Sequence, residues 1–94
     1  MSKQQRKLSI KMPESKLPGV YANQMLVSHT REEFVIDYVN LFPPEGVVNA
    51  RVIVSPGHLK RMIRALSENL ARYEQAHGPI IEAVAPNPPD EMQN

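Results

Sequence analysis

The sequence predicts an α+β domain: an antiparallel meander of three or four strands followed by one long C-terminal helix packed on one sheet face. Two observations carry this. A helix signature with both ends marked runs from Ser55 to Gly78, and ahead of it lie short apolar runs of period two, separated by Pro, Gly and polar turns. Element order then favours a sheet with its helix laid across one side.

The helix is specified at each end and along one face. Ser55 supplies a hydroxyl to cap an orphan amide, and Pro56 follows at the first helical position, where a missing N–H costs nothing. Gly78 and Pro79 form the stop, because Gly adopts the left-handed C′ conformation and Pro cannot continue the ladder. Leu59, Met62, Ile63, Leu66, Leu70 and Tyr73 recur at i, i+3, i+4, i+7 spacing as one apolar stripe. Each buried member of such a stripe is worth roughly 1.5–3 kcal/mol, so something must cover it.

Upstream, Leu8, Ile10 and Met12 alternate with Lys7, Ser9 and Lys11 and end at Pro13, which predicts a short, Lys-rich edge strand. Val20 to Ser28 and Glu33 to Leu41 read as a hairpin around His29-Thr30-Arg31-Glu32. Thr30 with Glu33 also fits a capping box that would launch a helix. The β-branched Val35, Ile36 and Val39, and the alternation of Phe34, Ile36 and Tyr38, favour a strand. Phe42 to Gly46, with two prolines, is a turn, and Val47 to Val54 is the last strand, feeding directly into the cap. The division expected is a flexible basic tail over 1–6, a single domain over 7–81, and a disordered, acidic, Pro-rich tail over 82–94.

With 94 residues, one core of this size is only marginally sufficient and oligomerisation often completes it. The absence of cysteine removes disulfides, thiol nucleophiles and thiolate zinc sites, and suits a cytoplasmic setting. No apolar run approaches a membrane span, and the N-terminus has no apolar h-region. The net charge of +1 is unevenly spread. Residues 1–18 carry five bases and one acid, 19–55 two bases and four acids, and 79–94 three acids alone. This pattern favours attraction between segments or between molecules.

The residues that carry chemistry in other proteins form no site here. His58 and His77 fall at opposite ends of the helix, about 28 Å apart at 1.5 Å per residue, and His29 lies in a loop, so no metal is expected. Glu32, Glu33 and Asp37 read as solvated or salt-bridged surface, with nothing beside them to shift a pKa. Ser28 and His29 are adjacent without a glycine elbow, so they are no nucleophile and base. No catalytic residue, cofactor or metal is predicted, and the chain is not expected to be an enzyme. Arg51, Lys60, Arg61, Arg64 and Arg72 form a candidate anionic-ligand face that could track a phosphate backbone. Glu68 sits four residues from both Arg64 and Arg72, weakening that field, and no aromatic platform accompanies it.

Tyr21-Ala22-Asn23, Glu33-Phe34 with Asp37-Tyr38, Arg51-Val52-Ile53-Val54-Ser55-Pro56 with His58 and Lys60-Arg61, and Tyr73-Glu74 with Gly78 and Ile80 together resemble a family of small bacterial and archaeal proteins known only as a domain of unknown function. The resemblance spans Gly19 to Ile81 and implies a bacterial or archaeal, cytoplasmic protein. It brings no activity, substrate or site residue with it.

The reading that follows is a non-enzymatic, homo-oligomeric interaction module, a dimer or larger. Both sheet faces are apolar, and one helix covers only one of them. A two-fold partner would cover the second, with Val35, Val39, Leu41, Val47 and Ile53 as the expected interface. Two alternatives are a nucleic-acid-associated accessory protein using the basic helix face, and a chaperone-like peptide-binding sheet. An unidentified protein partner is compatible with the first reading, and no membrane association is expected.

Overall fold

The structure is a computed structural model and describes residues 7–86. The expectations for 1–6 and for most of 82–94 lie outside the described residues. Strands β1 (Gln24–His29), β2 (Phe34–Phe42) and β3 (Glu45–Val54) form an antiparallel meander in the order β1-β2-β3, and helix α1 (Pro56–His77) follows directly. A single 3-10 turn, Glu14–Lys16, precedes the sheet.

The first hairpin resolves the competition at Thr30. Its hydroxyl accepts from the amides of Glu32 and Glu33 at 3.2 and 3.3 Å, as a helix cap would. Its own N–H donates to the Glu33 carbonyl at 2.9 Å, which closes a turn, and the chain continues as strand. The capping chemistry is therefore present, but the β-branched run behind it takes an extended partner. At the second hairpin the strands run up to Phe42 and Glu45, so only Pro43 and Pro44 form the tip, and the peptide between them is cis. Gly46 lies under Leu41, where an added Cβ would come within 2.5 Å of the Leu41 side chain.

A register shift between Tyr38 and Val39 sets the faces of the sheet. Tyr38 pairs with Ala50 but Val39 pairs with Val48, leaving Asn49 as an extra residue on β3. Paired residues share a face, so Val52, Val54 and Ala50 join Phe34, Ile36 and Tyr38, while Ile53 and Arg51 join Val35 and Asp37. Beyond the bulge the assignment from simple alternation reverses. Val48 falls with Val39, and Val47 moves to the other face opposite Asn40. Val47 is thus separated from Val35, Val39, Leu41 and Ile53.

The predicted strand over Leu8 to Met12 does not form. This stretch has no ladder partner, and Leu8 and Ile10 are 86% and 89% exposed. Alternation states which face a segment would bury, but pairing also needs an edge brought alongside, and among the described residues no strand pairs with this segment. The following run is also shorter than expected. β1 begins at Gln24, and 20–23 precede it outside the strand, with only the Asn23 N–H adding a bond to β2.

Helix α1 matches its sequence signature at both ends. Ser55 Oγ accepts from the His58 amide at 3.2 Å, Pro56 occupies the first turn, and Gly78, at φ 96°, donates its N–H to the Glu74 carbonyl at 2.8 Å. Twenty-two residues make a rod of about 33 Å. Only its first part lies over the sheet. Leu59, Met62, Ile63 and Leu66 meet Met25, Val27, Ile36 and Tyr38 across an apolar groove of about 210 Å³. Leu59 and Met62 are half-buried, whereas Ile63, Leu66, Leu70 and Tyr73 remain exposed.

Among the described residues the buried apolar core is Ile36 and Val39, at 2% and 6% exposure. The radius of gyration, 17.4 Å, exceeds the roughly 12 Å of a compact chain of this length.

Candidate interaction surfaces

Two surfaces of opposite character flank the sheet. On the helix side, the groove described above is open, and the stripe residues Leu66, Leu70 and Tyr73 continue beyond it uncovered. His77 packs its ring 4.7 Å from that of Tyr73 and ends the row. Asn40 shares this side with Val47, and its buried Oδ1 has no hydrogen-bond partner. An unsatisfied buried acceptor costs about 1–3 kcal/mol, so a donor from outside the chain would be favoured here.

The far side is partly closed by the chain itself. Asn23 places its side chain against the backbone of Leu41, accepting from the Leu41 N–H at 2.8 Å and donating to the Leu41 carbonyl at 3.0 Å. Its own N–H reaches the Val39 carbonyl at 3.0 Å, which extends the β1–β2 pairing past the end of β1. Asn49, the bulged residue, donates to the Tyr21 carbonyl at 2.7 Å and anchors the other end of the crossing segment. Val39, expected at the centre of an interface, is buried within one chain.

Asp37 and Arg51 stand opposite each other on this far side. Arg51 Nε donates to Asp37 Oδ1 at 2.7 Å and Nη2 to Oδ2 at 2.9 Å, a bidentate pair. Those hydrogen bonds, with the guanidinium charge behind them and partial desolvation opposing, hold the Asp37 carboxyl below the usual carboxylate range. The same contacts raise Arg51 further above its ordinary value. The Asp37 side chain is 14% exposed and that of Arg51 62%, so the pair sits at the surface and contributes little to stability. Asp37 is therefore salt-bridged, one of the two surface states the sequence predicts, but contrary to the sequence expectation it has a partner that shifts its pKa. The bulge creates it: continuing the register of the Pro43-Pro44 hairpin without the extra residue would set Ala50 opposite Asp37.

The five candidate anion-binding residues do not form one surface. Lys60, Arg61, Arg64 and Arg72 are exposed along the outer side of α1, but Arg51 lies on the sheet face away from the helix and is held by Asp37. Arg61 further directs Nη2 to His58 Nδ1 at 2.9 Å. The remaining histidines are distant from that pair, His29 packing on Phe34 at the first hairpin and His77 on Tyr73. No group of three or more metal-ligating side chains occurs among the described residues, and no helix there is long and apolar enough to cross a membrane.

The family profile described as "Protein of unknown function (DUF3467)" matches residues 1–82. The chain belongs to that family. No curated protein and no solved structure matches it. The match to the DUF3467 family takes in the unpaired Leu8 to Met12 segment together with the sheet and helix, and stops at the head of the acidic tail.

Proposed function

We propose that this DUF3467 chain is a non-enzymatic, homo-oligomeric interaction module whose helix-side surface is completed by a second copy. The observation that carries the reading is the helix stripe, which meets the sheet for only half its length and leaves Ile63, Leu66, Leu70 and Tyr73 in water. The two apolar side chains buried among the described residues do not offset the ordering entropy of those residues, at about 1–2 kcal/mol per residue for the backbone alone.

The areas point the same way. The chain exposes 8628 Å², against roughly 5,500 Å² for a compact protein of its mass. The excess of roughly 3,000 Å² exceeds the share, about 1,000–2,500 Å², that one partner buries in a large obligate dimer. The exposed run 7–21 contributes to that excess as well. A two-fold arrangement is the economical closure, since it sets the same stripe and groove against themselves.

Light scattering at micromolar concentration should return a mass of at least twice 10.6 kDa. Leu66→Asp with Leu70→Asp should bring it down, because carboxylates in an apolar contact are costly. A folded parent with a mass near 10.6 kDa would overturn the proposal.

A further inference from the structure

We propose that the second half of α1 packs against the same half of α1 in a second copy as an antiparallel helix pair, in which Leu70 faces the partner's Tyr73 and Leu66 the partner's His77. The inference rests on the homo-oligomeric reading and names which part of the helix-side surface the second copy meets, and in which direction.

The apolar stripe has two fates along one helix. Leu59 and Met62 are half-buried against the chain's own sheet. Ile63, Leu66, Leu70, Tyr73 and His77 follow at intervals of 3, 4, 3 and 4 residues, and all five are exposed. Alternating steps of this kind make the narrow seam that one helix offers to another. Two heptads do not sustain an isolated coiled coil. Here the first turns of each helix are already held by the sheet, so the seams meet as formed helix and the cost of nucleation is not charged to the pairing. The surface in excess of a compact chain, roughly 3,000 Å², is ample for the contact.

The shoulders of the seam allow close approach. Asn69 and Ala76 flank it on one side, Ser67 and Glu74 on the other, and Arg64, Glu68 and Arg72 fall on the far side of the helix. Glu74 is the single charge among the four, and its Oε2 accepts from the Ile80 N–H of its own chain at 2.9 Å. With Leu70 opposite the partner's Tyr73, Ser67 meets the partner's Glu74 and Asn69 the partner's Ala76, so no like charges are set together.

Direction follows from where the sheet sits. It underlies the Leu59 to Leu66 half of each helix, so a parallel pair would bring both sheets to one end, whereas an antiparallel pair keeps them apart and opposes the two macrodipoles. The antiparallel register also carries the partner's exposed Ile80 towards Ile63, at the open mouth of the groove between α1 and the sheet. Each copy thus supplies apolar cover that the other's groove lacks.

The chain has no cysteine, so introduced pairs report the register directly. Leu66→Cys and His77→Cys chains, co-expressed with a tag on one of them, should form the mixed disulfide at least tenfold faster than Leu66→Cys alone forms its own. In the antiparallel pair two copies of position 66 lie about 16 Å apart along the axis, at 1.5 Å per residue, beyond the roughly 7 Å between Cα atoms that a disulfide spans. Leu70→Cys with Tyr73→Cys is the second pair and should behave as the first. All four positions are exposed in a single copy, so the far-UV circular dichroism of each variant should match the parent. Leu66→Cys coupling to itself as fast as to His77→Cys makes the pair parallel and overturns the proposal. An oligomer in which neither mixed pair outpaces Leu66→Cys alone overturns the helix contact and leaves the homo-oligomeric reading standing, and a folded monomer overturns both.

Discussion

Replacing Asn23 by Ala removes both side-chain hydrogen bonds that fasten the crossing segment to the end of β2 and keeps the backbone bond to Val39. The side chain satisfies the N–H and the carbonyl of Leu41 together, at 2.8 and 3.0 Å. Each such bond contributes about 0.5–1.5 kcal/mol net, giving about 1–3 kcal/mol for the pair. The site is part-buried, so water takes up some of the freed backbone groups, and the expected loss is about 2 kcal/mol. With a urea slope of about 1 kcal/mol per molar for a chain this small, the midpoint should fall by about 2 M. Parent and variant must be compared at one protein concentration, because stability coupled to assembly depends on it. Asn69→Ala is the control. Asn69 bonds the Ala65 carbonyl of its own helix, at 2.9 Å and exposed, so its midpoint should hold or rise slightly with the better helix former. A midpoint change under about 0.5 M at Asn23, converted by the same slope, would refute the argument that this side chain holds the crossing to the sheet.

Ser55→Ala should cost about 1 kcal/mol in the same urea experiment, since the hydroxyl caps the His58 amide at the strand-to-helix junction. Asp37 makes an acid-side prediction. Its folded pKa is depressed, so its contribution is present above the unfolded value of about 3.9 and is lost as pH falls through the folded one. Asp37→Asn should flatten the decline in thermal midpoint below that pH, and an unchanged decline would show that the Arg51 contact does not persist in solution. Val39→Asp should unfold the chain, read as lost helical circular dichroism, because Val39 is buried within a single copy. Ile53→Asp, on the same sheet face but exposed, should leave both fold and oligomeric mass unchanged. A mass reduced by Ile53→Asp would move the contact between copies to the face away from the helix.

What was legible in the sequence was local. The ends of α1 could be read from Ser55, Pro56 and Gly78 because capping is set within a few residues by a hydroxyl, a fixed φ and a missing Cβ. The period-two run from Phe34 likewise outweighed the capping pattern at Thr30, since β-branched side chains disfavour the helix at each position they occupy. Relations between strands were not legible. A single extra residue at Asn49 sends Val47 and Val48 to opposite faces from those that alternation assigns, and brings Arg51 across from Asp37. Nothing local to Asn49 announces it, because a bulge is a property of two strands in register and its residue is held here by Tyr21, 28 positions earlier. The segment around Ile10 marks the same boundary. Its alternation states which side chains a strand would bury, while whether it pairs, and with which edge, depends on distances between elements that no stretch of sequence contains.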